Sequence, residues 1–235
     1  MFQIRPSHAR GTANFGWLDS KHSFSFGQYY DPNHMGFRNL RVINEDKVLP
    51  SKGFGTHGHR DMEIISYIIS GELAHKDSMG NGSTIVRGDV QRMSAGTGVR
   101  HSEFNASNSE TVHFLQIWIL PNSDGHTPGY EERNFAGERN NTLRLLVSGD
   151  ASAEALHINS DIQLFGSELD AGQLLTHDFS TDRHGWVQLI KGSLTVSDGS
   201  LTHTLSAGDG LGLAEVRQIT MSADSECEFL LFDLP

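Results

Sequence analysis

Apolar and polar residues alternate in short runs along this chain, and glycine-rich turns separate the runs. The segment from Met62 to Gly71 is rich in β-branched and aromatic residues and ends at a turn glycine. The longest apolar run, from Val112 to Leu120, stops at Pro121. Runs of this length and composition predict strands rather than helices, and Gly80-Asn81-Gly82 predicts a hairpin. The pattern therefore predicts an all-β fold with short helical or irregular connections.

Two short polar pairs lie between these runs: His57-Gly58-His59 and His101-Ser102-Glu103. Residues two apart in a strand point to the same face, roughly 7 Å from one another along the strand. If the two strands lie side by side, the four side chains can close on one ion. The spacing therefore predicts a metal site built from the two pairs.

The donor types restrict the chemistry of this site. Three imidazoles and one carboxylate suit iron(II), manganese(II), cobalt(II), nickel(II), copper(II) or zinc(II), and do not choose among them. A structural zinc site saturates its four positions, whereas a site at the mouth of a barrel leaves room for water or substrate. The spacing does not decide which carboxylate binds the ion. Glu103 is one candidate, and Glu63 is another because it lies an even number of residues from His57 and His59 and so shares their strand face.

The second half of the chain repeats the first. Tyr67 to Leu73 corresponds to Gln188 to Leu194, and Gly88-Asp89 corresponds to Gly208-Asp209, at an offset of about 120 residues. Such a repeat favours a duplicated β-barrel, with domains at residues 1–125 and 126–235. The same alignment gives the second domain four other residues in place of the candidate ligands: Asp178, Ser180, Gln218 and Thr220. We therefore expect one metal per chain, in the first domain, and a degenerate second domain without metal.

Composition and charge restrict the partners of the chain. Its 235 residues include 18 basic and 29 acidic side chains, for a formal net charge of -11, and no basic run occurs. Direct binding to nucleic acid or to an anionic membrane is therefore disfavoured. No window approaches the roughly 20 apolar residues of a membrane span, and the polar start shows no signal peptide. With Cys227 as its single cysteine, the chain is expected to be cytoplasmic.

A set of spaced motifs resembles the two motifs of the cupins: His57-x-His59-x-x-x-Glu63, then Gly88, Ser94-Ala95-Gly96 and His101-x-x-x-Asn105. Ser94 takes the place of the usual proline, and four residues separate Gly96 from His101. Together with Glu103, these departures resemble the pirin branch of the cupins. The segments from Phe24 to Pro32 and from Leu40 to Asp46 also resemble the pirin N-terminal segment.

This resemblance implies a fold of two tandem cupin domains, each a jelly-roll β-barrel. It implies that one divalent transition metal is bound, with iron(II) expected and Mn, Co, Ni, Cu or Zn as alternatives. The ligands that it implies are His57, His59, His101 and Glu103. Glu63 is then expected to hydrogen-bond a ligand imidazole and to fix its tautomer.

The resemblance also implies a function, because bacterial pirin-like proteins are similar to quercetin 2,3-dioxygenases. We expect an oxidoreductase that opens the ring of a flavonol such as quercetin with O2 and releases CO. Glu103 is expected to accept the proton of the flavonol 3-hydroxyl group. The alternative is a non-enzymatic, metal-binding and redox-responsive cofactor that binds a protein partner. A cupin isomerase or lyase that acts on a small polar substrate without oxygen is a third candidate.

Overall fold

The computed structural model describes residues 1 to 235 and is almost entirely β, with one 3-10 turn at Ser7–Ala9. It contains no helix of the length and hydrophobicity that a membrane span needs. In chain order the strands are β1 (Phe2–Arg5), β2 (Gly11–Asn14), β3 (Leu18–His22), β4 (Leu40–Val48), β5 (Gly53–His59), β6 (Glu63–Ser70), β7 (Glu72–Asp77), β8 (Gly82–Val86), β9 (Asp89–Ser94), β10 (Val99–Asn105), β11 (Val112–Ile119), β12 (Gly129–Asn134), β13 (Arg144–Ser148), β14 (Leu156–His157), β15 (Gln163–Leu169), β16 (Leu174–Asp178), β17 (His184–Lys191), β18 (Ser193–Ser197), β19 (Thr202–Ser206), β20 (Gly210–Leu213), β21 (Gln218–Ala223) and β22 (Cys227–Leu234).

The chain divides into two compact units that exchange short segments. The N-terminal unit comprises Gly11–Ala136 and Leu156–Ser160, and the C-terminal unit comprises Met1–Arg10, Gly137–Ala155 and Asp161–Pro235. The first ten residues belong to the C-terminal unit because β1 pairs antiparallel with β20. The expected division into residues 1–125 and 126–235 does not place Met1–Arg10 in the C-terminal unit or Leu156–Ser160 in the N-terminal unit.

Two antiparallel sheets make up the N-terminal unit. The larger sheet has the strand order β12-β9-β6-β11-β4-β3-β2, and the smaller has the order β5-β10-β7-β8. β5 pairs with β10, which is distant in sequence, rather than with β6, which follows it directly. Such crossing between two sheets is typical of a jelly roll. The two sheets are not joined into a closed barrel.

The C-terminal unit repeats this arrangement. One of its sheets has the order β1-β20-β17-β22-β15-β13, and the other has the order β16-β21-β18-β19. Its core is one apolar cluster that includes Val187, Phe229 and Leu231. The expected fold class of two tandem cupin-type domains is confirmed.

The core of the N-terminal unit has polar as well as apolar layers. On β6 the inward positions are Ile64, Ser66 and Ile68. Ile68 packs into an apolar cluster with Phe114, and Ile64 belongs to a second apolar cluster. Ser66 lies between these two layers and is 2% exposed. Ser66 thus marks a polar layer between two apolar ones.

Candidate metal centre

β5 and β10 bring the two polar pairs together. They pair antiparallel in a register that places His101 opposite His57 and Val99 opposite His59. Inward and outward positions alternate along β10, so that His101 and Glu103 are both buried. A register shift lies between these two residues. The two pairs therefore lie on adjacent strands and face the interior of the unit.

The three imidazoles meet at their Nε2 atoms. Nε2 of His101 lies 2.9 Å from Nε2 of His59 and 3.0 Å from Nε2 of His57. Nitrogens bound about 2.1 Å from one ion are roughly 3.0 Å apart when they subtend a right angle and roughly 3.4 Å apart at the tetrahedral angle. The observed spacing is therefore that of neighbouring ligands of one ion.

The hydrogen bonding of the three rings is incomplete without a cation. Nδ1 of His57 donates to the carbonyl oxygen of Gly55 at 2.8 Å, and in a neutral ring this leaves a lone pair on Nε2. Nε2 of His101 faces this lone pair and Nε2 of His59 at once, and a single proton can satisfy only one of the two contacts. An ion that accepts all three lone pairs removes the conflict. The three histidines therefore fit a divalent metal.

Burial keeps two of these imidazoles in the neutral form. Desolvation, followed by the charge of the neighbouring rings, lowers the pKa of His59 to about 4 and the pKa of His101 to about 3. Neutral imidazole is the form that binds metals. His101 is buried, whereas His57 and His59 are partly exposed. The centre is therefore ready to bind a metal and open to solvent on one side.

Glu103 lies next to His101. One carboxylate oxygen of Glu103 lies within 4.8 Å of a ring nitrogen of His101. The carboxylate accepts hydrogen bonds from Nε2 of Gln116 at 3.2 and 3.1 Å and from Oγ of Ser66 at 3.4 Å. Burial raises the pKa of Glu103 to about 7, and the two donors oppose this change. The position suits both a carboxylate ligand and a base.

His75 is a fourth buried imidazole, and its ring centroid lies 5.4 Å from that of His101. Its Nδ1 accepts a hydrogen bond from Nε2 of Gln91 at 3.0 Å, and its Nε2 donates to Oδ2 of Asp77 at 3.2 Å. Both ring nitrogens are therefore engaged. The structure brings donor atoms together in two sets, one of His57, His59 and His101 and the other of His75, His101 and Glu103. That Glu103 completes the first set stays a prediction.

Comparison with known proteins identifies the family. Residues 3–119 match the family model Pirin, and residues 145–234 match the model described as quercetinase C-terminal cupin domain. The chain is 45% identical to the quercetin 2,3-dioxygenase of Escherichia coli (strain K12), over 100% of this chain and 99% of that protein. The chain belongs to the pirin family.

Solved structures and other relatives agree over the full length of this pirin. The crystal structure of the bacterial pirin YhhW from Escherichia coli in complex with nickel(II) has a TM-score of 0.94 and 45% identity, over 100% of this chain and 99% of that chain. The pirin-like protein of Caulobacter vibrioides is 40% identical, over 99% of each chain. The expected likeness to pirins and to quercetin 2,3-dioxygenases is confirmed.

Glu63 does not hydrogen-bond a ligand imidazole, contrary to expectation. Its carboxylate accepts hydrogen bonds from Oγ of Ser94 at 2.7 Å and from Nδ2 of Asn159 at 3.1 Å. Glu63 was expected on the same face as His57 and His59 because it lies an even number of residues from both. This count holds only within one continuous strand. Here β5 and β6 belong to different sheets, and Asp61 between them has a φ of 49°. Glu63 therefore faces the side of β6 opposite to Ser66.

The strand register of the C-terminal unit shifts the expected alignment of the two halves by one residue. β16 and β21 place His177 opposite Ile219, as β5 and β10 place His57 opposite His101. The residues at the four ligand positions are therefore His177, Phe179, Ile219 and Met221, and not Asp178, Ser180, Gln218 and Thr220. Phe179, Ile219 and Met221 are buried in the apolar core of the C-terminal unit. That the second domain binds no metal stays a prediction.

Three side chains that the sequence did not assign to the site lie beside it: Trp118, Phe26 and Gln116. The ring of Trp118 lies 5.0 Å from that of His59, and the ring of Phe26 lies 5.3 Å from that of Trp118. Strand alternation turns Gln116 inward with Trp118. The contact of Gln116 with Glu103 could not be predicted from the sequence, because the two residues come from different sheets.

Proposed function

We propose that this pirin is a metal-dependent dioxygenase that opens the ring of a flavonol such as quercetin with O2 and releases CO. The three-imidazole cluster with Glu103 beside it carries the proposal. Full-length similarity to a protein named quercetin 2,3-dioxygenase supports it. The proposal includes one divalent transition metal per chain, with iron(II) expected, and action in the cytoplasm.

His57, His59, His101 and Glu103 would hold the metal. When bound, the metal would stabilise the negative charge of the flavonol oxygen after the 3-hydroxyl group loses its proton. Glu103 accepts this proton at a carboxylate oxygen. In the metal-free centre burial raises the pKa of Glu103 above its ordinary value, and a raised pKa makes a carboxylate a stronger base.

The aromatic side chains beside the cluster suit a flat substrate. Trp118 stands nearly perpendicular to the His59 ring, and Phe26 stands nearly perpendicular to Trp118. Edge-to-face contacts of this kind add about 0.5–1.5 kcal/mol beyond apolar burial. We propose that the two rings bind the flavonol and orient its 3-hydroxyl group toward Glu103.

The proposal is tested by loading the metal-free protein separately with Fe(II), Mn(II), Co(II), Ni(II) and Cu(II). Quercetin absorbance and CO release are then followed under air. We expect at least one metal form to consume quercetin and O2 and to release CO in equal amounts, and His101→Ala to abolish the reaction. His203→Ala, in β19 of the C-terminal unit, is the matched control and should keep full activity.

If every metal form is inert, the dioxygenase proposal fails. A change in binding to a protein partner in His57→Ala would then support the redox-responsive cofactor. Turnover of a small polar substrate without oxygen would support the isomerase or lyase instead.

A further inference from the structure

Glu103 depends on neutral hydrogen-bond donors. Its side chain is buried and forms no salt bridge, so no arginine or lysine balances its charge. A buried carboxylate without a cation needs donors from its surroundings. Gln116 supplies contacts to both carboxylate oxygens, and Ser66 supplies a longer contact to one of them. Gln116 is therefore the main partner that holds the carboxylate in place.

Gln116 belongs to a buried polar row that crosses the larger sheet of the N-terminal unit. The strand registers align one inward side chain from each of five adjacent strands. All five are polar and at most 8% exposed. In the order of the strands they are Gln91, Ser66, Gln116, Asn44 and His22.

The C-terminal unit provides an internal comparison for this row. Its registers align the equivalent inward positions in the same way. The equivalent residues, in the same order, are Leu211, Val187, Leu231, Phe165 and Leu145. Met221 lies opposite Val196 there, as Glu103 lies opposite His75 in the N-terminal unit.

The same fold is therefore built with an apolar row when the carboxylate is absent. Leu231 stands where Gln116 stands in the N-terminal unit, and Met221 stands where Glu103 stands. The fold itself does not require an amide at this position. Amide and carboxylate are present together in one unit and are replaced together in the other, which points to a joint role.

We propose that Gln116 is the positioning residue of the metal centre, and that its side-chain amide fixes the orientation in which Glu103 binds the ion. The inference rests on the metal site of the proposed function. Nε2 of Gln116 reaches both carboxylate oxygens at nearly equal distances, so rotation of the Glu103 carboxylate breaks at least one contact. Without the amide, the carboxylate loses this restraint and binds the metal less tightly.

The test measures the dissociation constant for Ni²⁺ by competition with a chelator, without any flavonol. Gln116→Met keeps the side-chain volume and removes the donor. We expect it to weaken Ni²⁺ binding by about 10-fold. Gln188→Met is the matched control, because Gln188 is a buried glutamine on β17 of the C-terminal unit. It should leave Ni²⁺ binding unchanged.

A double-mutant cycle shows whether Gln116 acts through Glu103. The variant that combines Gln116→Met with Glu103→Gln should bind Ni²⁺ no more weakly than Glu103→Gln alone. Thermal unfolding of each metal-free variant checks that it is folded. If Gln116→Met does not fold, Ser66→Ala removes the longer contact to the same carboxylate and should give a smaller weakening that also vanishes in Glu103→Gln.

Wild-type affinity in folded Gln116→Met would overturn the inference, as would additive losses in the cycle. Equal weakening in Gln188→Met would assign the effect to general destabilisation and would also overturn it. Because no flavonol is present, these outcomes are independent of whether CO is released. Failure of the dioxygenase proposal and failure of the positioning role are thus distinguishable.

Discussion

Asp46 is a second buried carboxyl group in the N-terminal unit, and its replacement by asparagine should make stability less dependent on pH. The side chain points inward from β4 and is 4% exposed. Burial is the largest cause that raises its pKa from 3.8 to about 7, and the charge of Glu103 adds to this. The hydrogen bond from Ser20 opposes the change.

The sign and the magnitude follow from linkage. The unfolded chain ionises Asp46 above pH 3.8, whereas the folded protein keeps it protonated up to about pH 7. Stability is therefore lost as the pH rises between these values, by about 4 kcal/mol at pH 8 but only about 1.5 kcal/mol at pH 5. Asp46→Asn removes this dependence, so its stabilising effect should be about 3 kcal/mol larger at pH 8 than at pH 5.

The assay is urea unfolding of metal-free wild type and Asp46→Asn at the two pH values. Fixed effects of the amide, such as an unsatisfied donor, cancel when the two pH values are compared. Asp124→Asn is the control, because Asp124 is an exposed aspartate in the same unit. Equal differences between wild type and Asp46→Asn at pH 5 and pH 8 would refute the reasoning.

Three further predictions concern the site. His101→Ala should abolish stoichiometric binding of a divalent metal, measured by metal analysis after dialysis, because two Nε2 contacts of the cluster involve this ring; full occupancy would contradict the ligand set. Gly53→Ala should lower thermal stability and Ni²⁺ affinity together, because its Cβ would lie 2.2 Å from the carbonyl oxygen of Glu103, whereas Gly55→Ala, with nothing within 4 Å, should be tolerated. Trp118→Ala should raise KM for quercetin about 10-fold, in line with the loss of a large aromatic contact; an unchanged KM would exclude Trp118 from the substrate site.

Local periodicity was enough to find the histidines of the site. His57 and His59, like His101 and Glu103, are two residues apart, and a strand turns such residues to one face whatever the sheet. The pairing of β5 with β10 could be proposed because both segments carry side chains of the types that bind metals. The sequence thus predicted both the inward faces and the strands that carry them.

Contacts between sheets were beyond the same reasoning. Gln116 meets Glu103 and Gln91 meets His75 across the interior, and no spacing along the chain encodes such pairs. The interpretation of Glu63 failed at a break between strands, where parity is lost. The alignment of the two halves slipped by one residue because small gaps separate the matched glycines from the ligand positions.

The comparison of the two units separates what the fold requires from what the site requires. Buried polar atoms without partners cost about 1–3 kcal/mol each, and the polar row contains such atoms in Gln91, Gln116 and Asn44. The C-terminal unit forms the same sheets with leucine, valine and phenylalanine at these positions, so the fold does not require polar side chains there. The polar row therefore lowers the stability of the N-terminal unit, and a ligand that binds only the folded state offsets this, by about 2.7 kcal/mol at 100 times its Kd. A polar row in the N-terminal unit and an apolar row at the equivalent positions of the C-terminal unit is thus the pattern expected if only the first of the two units holds a metal.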